Sequence, residues 1–319
     1  MHRYIRFLSC LLVVQFFGIA NAQWSFDSQF IYLLPSLDDT SFVTTGAALP
    51  FGGLTVDEPY GKRKNNDLRF TPGFRVKAAT ALPNCDGEFA AFYTYLYSKK
   101  SRTVVGSHLF ATDSFVSALT DFTGYASSKN KLQFQNVDAW YFKPLYNLHC
   151  FNLNLITGAE FASIRWHQVH TYVAIDTSEF DKIGRRLRSW GIGPELGLDA
   201  EYTVAEFDCT CPSRLNVNFL GTGSLLASKT YNRLRESSSS SPNLKLLDEP
   251  TWRVVPALHA RVGVSYEMLF SCITTSIEAG YEFNAYFRAF SKQLFFNAVG
   301  TGFYNLNIHG LFAGIHFFF

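Results

Sequence analysis

The chain is poor in several things that would define common classes of protein. After residue 22 no apolar run approaches the roughly 20 residues a membrane-spanning helix requires, which excludes helical spans from the rest of the chain. Net charge is also missing. If residues 1–22 are removed, Arg3 and Arg6 leave with them; the 28 basic residues fall to 26, against 26 acidic ones. A nucleic-acid binder would carry a clear basic surplus, so that class is excluded. No Gly-x-Ser-x-Gly nucleophile elbow occurs, although Ser224 and His259 could share one face of a sheet. The glycines of "GIGPELG" (Gly191, Gly193, Gly197) miss the spacing of a dinucleotide loop, place Pro194 in the turn and open no helical pattern. His167 and His170 of "WHQVH" would point to opposite faces of a strand and so share no metal. No catalytic residue, metal or cofactor is expected.

What the chain does have is aromatic residues and an export signal. Phe, Tyr and Trp make up 17% of the sequence, with 32 Phe and 16 Tyr. The opening "MHRYIRFLSCLLVVQFFGIANAQW" has a basic start, an apolar stretch over 7–20 and a small-x-small site at Ala20-Asn21-Ala22. Cleavage is expected before Gln23, leaving residues 23–319 as one domain. Cys10 would be lost with the signal. An exported, aromatic-rich chain without spanning helices fits an outer-membrane β-barrel.

The test of that reading is alternation with period two, because neighbouring strand side chains point to opposite faces. In "WRVVPALHARVGVSYE" one face carries Trp252, Val254, Pro256, Leu258, Ala260, Val262, Val264 and Tyr266. The other carries Arg253, His259, Arg261, Ser265 and Glu267. "WGIGPELGLDAEYTV" sets Trp190, Ile192, Leu196, Leu198 and Tyr202 against Glu195, Asp199, Glu201 and Thr203. "CITTSIEAGYEFNAYFR" sets Ile273, Ile277, Tyr281 and Phe287 against Glu278, Glu282, Asn284 and Arg288. Such runs exceed the 5 or 6 residues (roughly) usual in soluble domains. A soluble sandwich or lipocalin-like barrel also alternates, with its apolar face inward. The large aromatics argue for lipid instead. Trp190 and Tyr202 lie 12 residues apart on one apolar face and Trp252 and Tyr266 lie 14 apart on another. At about 3.3 Å per residue and a tilt near 40°, 12 residues rise roughly 30 Å, the separation of aromatic girdles at two membrane interfaces.

Ten strands are predicted, near 23–35, 68–82, 88–99, 131–146, 151–175, 185–207, 214–235, 251–268, 272–287 and 303–319, with twelve as the alternative because 100–130 could hide a hairpin. They imply an antiparallel up-and-down barrel. Long connections (36–67, 100–130, 176–184, 236–250, 288–302) alternate with short ones near 83–87, 147–150, 208–213 and 269–271, the pattern of long extracellular loops and short periplasmic turns. "SFVTTGAALPFGGLTV" in the first long loop is apolar and could enter the lumen or lie on the rim. The expected lumen side is mixed in charge: Arg75, Lys77, Arg253, Arg261 and Arg288 with His259, against Glu195, Asp199, Glu201, Glu267, Glu278 and Glu282. The ending "GLFAGIHFFF" puts Leu311, Ala313, Ile315, Phe317 and Phe319 on one face, as in a C-terminal barrel-assembly signal whose edge groups pair with an assembly machine. Leu306 and Ile308 have the opposite parity, which a bulge near Gly310 would explain.

The segments "FTPGFRVKAATALPN", "EFAAFYTYLYSK", "LITGAEFASIRWHQ", "WGIGPELGLDAEY", "LNVNFLGTGSLLAS" and "LNIHGLFAGIHFFF" occur in that order. Together they resemble the Legionella-type major outer membrane protein family, which includes porin-like proteins of environmental chlamydiae. The resemblance spans most of the mature chain. It implies a pore-forming or surface barrel in the outer membrane of a Gram-negative bacterium, with no catalytic residues to carry over. Cys85, Cys150, Cys209, Cys211 and Cys272 all fall in or beside predicted periplasmic turns. In an oxidising periplasm they are expected to form disulfides, and Cys209 and Cys211 are too close in sequence to pair without strain. An odd number leaves one free or joined to another envelope protein, and the chlamydial members of the family imply such cross-linking. The leading expectation is thus a porin-like barrel that passes small hydrophilic solutes. Its expected partners are outer-membrane lipid and the barrel-assembly machinery. The rivals are a closed structural or surface barrel and, third, a lipid enzyme.

Overall fold

A computed structural model describes residues 24–38, 40–48, 59–81, 87–111, 122–175, 180–207, 212–239, 244–247, 250–270, 273–294 and 300–318. The expected signal site (Ala20, Ala22, Gln23), four cysteines (Cys85, Cys209, Cys211, Cys272) and Phe319 lie outside these residues. The described chain forms thirteen strands: β1 (Trp24–Leu37), β2 (Ser41–Ala48), β3 (Pro59–Asn65), β4 (Thr71–Ala81), β5 (Glu88–Ala111), β6 (Phe122–Leu148), β7 (Phe151–Ala174), β8 (Phe180–Phe207), β9 (Ser213–Ser238), β10 (Leu244–Leu247), β11 (Thr251–Phe270), β12 (Ile273–Leu294) and β13 (Gly300–Phe318).

Ten of these close a ring. The antiparallel order is β1-β4-β5-β6-β7-β8-β9-β11-β12-β13, and β13 returns to β1 from Ser25↔Phe318 to Leu37↔Leu306. Closure removes the unpaired edges that an open sheet would expose. The ten ring strands coincide with the ten alternating runs of the sequence. The other three are short accessories: β2 and β3 form a hairpin held on the upper end of β5 through Val43↔Ala111, and β10 pairs with β9.

The connection expected over 100–130 is largely strand. β5 continues to Ala111 and β6 begins at Phe122, paired as far as Leu109↔Phe122. Above the lipid a barrel wall need not keep an apolar outer face, so the alternation fades there although the hydrogen-bond ladder continues.

Along the walls the outward positions are apolar and exposed. Val254, Leu258, Val262 and Val264 on β11 are 45–62% exposed, and Ile192, Leu196 and Leu198 on β8 are similar. Trp190 meets Trp252 edge to face on this outer surface (centroids 5.6 Å), and at the short-turn end Tyr266 packs near Phe207 (6.5 Å). Tyr202 also faces outward. On β13 the odd residues Leu311, Ala313, Ile315 and Phe317 face outward, while Leu306, Ile308 and Phe312 face inward. The register of β13 against β1 runs unbroken through Gly310, so no bulge lies there. Leu306 and Ile308 have the other parity because the interior itself contains an apolar layer. The bulge lies in β12, between Tyr286 and Phe290, with Arg288 at φ 55°.

Candidate functional site: the barrel interior

Inward side chains from opposite walls meet across the ring and form three successive layers. Nearest the short turns is a charged layer. His316 on β13 bridges two carboxylates, with Nδ1 2.9 Å from Asp27 on β1 and Nε2 2.9 Å from Glu278 on β12. Arg261 donates to Glu278 and to Gln29, and its guanidinium lies 3.8 Å above the Phe312 ring. That ring rests where Gly263 and Gly280 face each other across β11 and β12; a Cβ at Gly280 would come within 2.7 Å of it. Lys77 sits 3.3 Å from Glu88 and 3.7 Å from Asp27. A cavity of about 160 Å³ opens here, lined among others by Lys77, Asp199, Glu201, Glu267 and His316. Its volume is enough for several waters.

One step further in, Arg75 on β4 makes a two-bond pair with Glu282 on β12, at 2.6 and 3.0 Å, and also donates to Thr94 at 2.9 Å. Beside it three buried carboxylates converge, with oxygens of Asp138, Glu160 and Glu195 within 4.8 Å of one another. Glu160 accepts from Ser224 on β9 and from Tyr286 on β12 (2.7 Å); Glu195 accepts from the Trp140 indole.

The third layer is apolar. Phe134 (β6) packs on Tyr286 (β12) at 5.6 Å, and Trp166 (β7) meets Tyr304 (β13) edge to face at 5.6 Å and Phe290 at 6.3 Å. In a ten-strand ring, β6 and β12 are five strands apart, as are β7 and β13. These contacts therefore span the full diameter. Leu306, Ile308, Leu96 and Leu132 fill the space around them, each at most 1% exposed. Above this layer Phe42 and Val43 of β2 dip into the mouth against Leu109, Tyr172, Ile183 and Leu234. The Tyr172 hydroxyl donates to the Phe42 carbonyl. Asn66, just after β3, is fully buried and donates to the Ser128 carbonyl on β6 at 3.0 Å. The first long loop thus enters the lumen in part.

Most sequence-chosen interior residues sit on inward positions: Arg75, Glu195, Glu278 and Glu282 are buried, and Lys77, Asp199, Glu201, Arg253, His259, Arg261 and Glu267 are partly so. Asp199 accepts from Asn154 (3.1 Å), and Arg253 donates to the Ala289 carbonyl (2.8 Å). Arg288 is corrected: the β12 bulge turns it to the exposed surface, 5.3 Å above Phe303, with its backbone N–H on Asn305. Ser224 is engaged by Glu160, and His259 stacks near Trp140 (6.5 Å), so each is held by a different partner. His167 faces outward and His170 inward, as the spacing requires. Sequence reasoning missed Asp27, Gln29, Asp138, Glu160 and His316. All five lie opposite apolar residues in predicted strands, and extending the parity count would have found Asp27, Gln29 and His316. Among the cysteines only Cys150 is described; it is an exposed free thiol in the β6–β7 turn.

A closed antiparallel ring, apolar outside with aromatic residues near both ends and with its charges inside, defines a membrane-spanning β-barrel of the outer-membrane class. Residues 19–319 match the family described as the Legionella pneumophila major outer membrane protein precursor. The chain belongs to that family. No curated protein sequence matches it. Among solved structures it is similar to the outer membrane protease OmpT from Escherichia coli (12% identity, 93% of this chain and 97% of that one, TM-score 0.46). It is also similar to the toluene transporters TodX of P. putida (8%, 95% and 90%, 0.32) and TbuX of Ralstonia pickettii (12%, 93% and 88%, 0.28).

Proposed function

We propose that this outer-membrane barrel is closed at rest and serves the envelope as a structural and surface element. The observation that carries the reading is the diametric contact of Trp166 with Tyr304 and of Phe134 with Tyr286, embedded in fully buried leucines and isoleucines. Side chains of the described residues packed this way constrict the lumen, and an apolar constriction resists wetting. The charged layer below it holds the walls in register by paired groups. Cys150, exposed at a short turn, suits a disulfide with a neighbouring envelope protein. Cleavage before Gln23 and outward-facing long loops complete this reading.

Porin-like passage of small hydrophilic solutes is the second reading. It is favoured by the polar cavity at the short-turn mouth, and requires the aromatic layer and the Phe42 cap to move. Liposome swelling separates the two. Folded protein in liposomes should leave them as impermeable to arabinose as empty ones; swelling at porin-like rates would establish the second reading.

A further inference from the structure

The outer wall of β7, β8 and β9 carries a group of cations that neither the lumen nor the lipid core explains. Arg165 on β7 is paired directly with Arg188 on β8, and Arg186 on β8 with Arg233 on β9. Directly paired residues share a face, and here it is the outward one: their strand neighbours Trp166, Leu187, Ser189 and Leu234 are buried inside. The row continues to His167, Lys131 and Lys99 on β7, β6 and β5. Like charges placed directly across a strand pair repel, with side-chain roots only about 5 Å apart. A stable wall would relieve this with outward acids, yet among the described residues none stands in this row or in the rows on either side of it. Among the described residues none of the four guanidiniums has an ion pair. Around them lies a recess of about 420 Å³, floored by Trp190 and Tyr231.

The height of this group fixes what can fill it. Trp190 and Trp252 mark the upper aromatic level. Arg188 and Arg186 lie two and four residues beyond Trp190 on β8, about 5 and 10 Å higher at 3.3 Å per residue and a 40° tilt. Arg188 lies in the headgroup zone, which adds roughly 5–8 Å to each side of the hydrocarbon, and Arg186, which lines the same recess, borders it from above. Guanidinium forks bind phosphate oxygens in two-bond geometry, and several converging on one recess suit a doubly charged group better than a single carboxylate. We infer that Arg165, Arg186, Arg188 and Arg233 form a binding site for the phosphate groups of a phosphorylated glycolipid in the outward leaflet, with its acyl chains lying down the Trp190 side of the wall. This rests on the reading that the long-loop end faces outward; it does not depend on whether the lumen conducts.

The test uses the full folded chain in detergent, titrated with bisphosphorylated lipid A and followed by native mass spectrometry. The wild type should retain the lipid, and a variant with Arg165, Arg186, Arg188 and Arg233 all changed to Gln should bind it at least tenfold more weakly. Its unheated mobility on gels should match the wild type, showing an intact barrel. A control that removes three cations elsewhere, Lys62→Gln with Arg63→Gln and Lys64→Gln in β3, should bind as the wild type does. Dephosphorylated lipid A should bind the wild type no better than the fourfold variant. Equal retention by wild type and variant would overturn the site. So would full displacement of the lipid by millimolar inorganic phosphate, which would mark a site for soluble anions. A wrong membrane assignment shows separately, in the Leu258→Arg measurement described below.

Discussion

Trp166 on β7 and Tyr304 on β13 meet edge to face at 5.6 Å across the whole width of the barrel. They belong to diametrically opposed strands, so their contact spans the lumen at that level. Tyr286 and Phe134 do the same one step lower, and the Tyr286 hydroxyl ties the apolar layer to Glu160 in the layer beneath. The interior behaves as a packed core with a polar half and an apolar half.

The Arg75–Glu282 pair should be costly to break and cheap to replace. Both side chains are buried, at 5% and 0% exposure. Removing one partner strands a charge, so Arg75→Met should destabilise the folded barrel by about 3–5 kcal/mol in urea unfolding from micelles. Arg75→Met combined with Glu282→Leu should recover most of that loss. A double variant as unstable as the single one would show that the pair matters for more than its charges.

The outer wall predicts a depth-dependent penalty. Leu258 points outward midway between Trp252 and Tyr266 and is 45% exposed. Leu258→Arg should cost about 2–4 kcal/mol in lipid, whereas Ser163→Arg, on the outward face of β7 and paired with Trp190 at the upper aromatic level, should cost about 0–1. Equal and small effects at both positions, measured by unfolding from liposomes, would mean that this face meets water.

Topology can be read from one thiol. In a variant retaining only Cys150 among the mature cysteines, a membrane-impermeant maleimide should fail to label intact cells and should label them promptly once the outer membrane is permeabilised. Prompt labelling of intact cells would place the short turns outside.

Where the sequence was legible, lipid was the reason. Between the aromatic levels every outward side chain must be apolar, so β8 and β11 show their period in the residues themselves, and all ten ring strands follow. Two regions escaped. From the upper aromatic level outward the rule lapses: β6 has Lys131, Gln133 and Gln135 outward while Leu132 and Phe134 point inward. Because of that reversal the apolar residues of 131–146 do not keep to one face, and Asp138 went unnoticed. The apolar inner layer misled in the same way, making Leu306 and Ile308 look like lipid-facing residues out of step. A bulge cannot be counted from the sequence either, which misplaced Arg288. The fit of Phe42 into the mouth and the meeting of Asp138, Glu160 and Glu195 come from three or more strands at once, and no local pattern encodes them.

Planar-bilayer recording tests the central claim most directly. Purified, folded wild type should insert without opening discrete channels. A variant with Phe42, Phe134, Trp166, Tyr286, Phe290 and Tyr304 all changed to Ala, which removes the cap and the aromatic layer while keeping the ring, should give stepwise conductance. Discrete channel openings by the wild type under the same voltage would contradict the closed barrel and establish a pore.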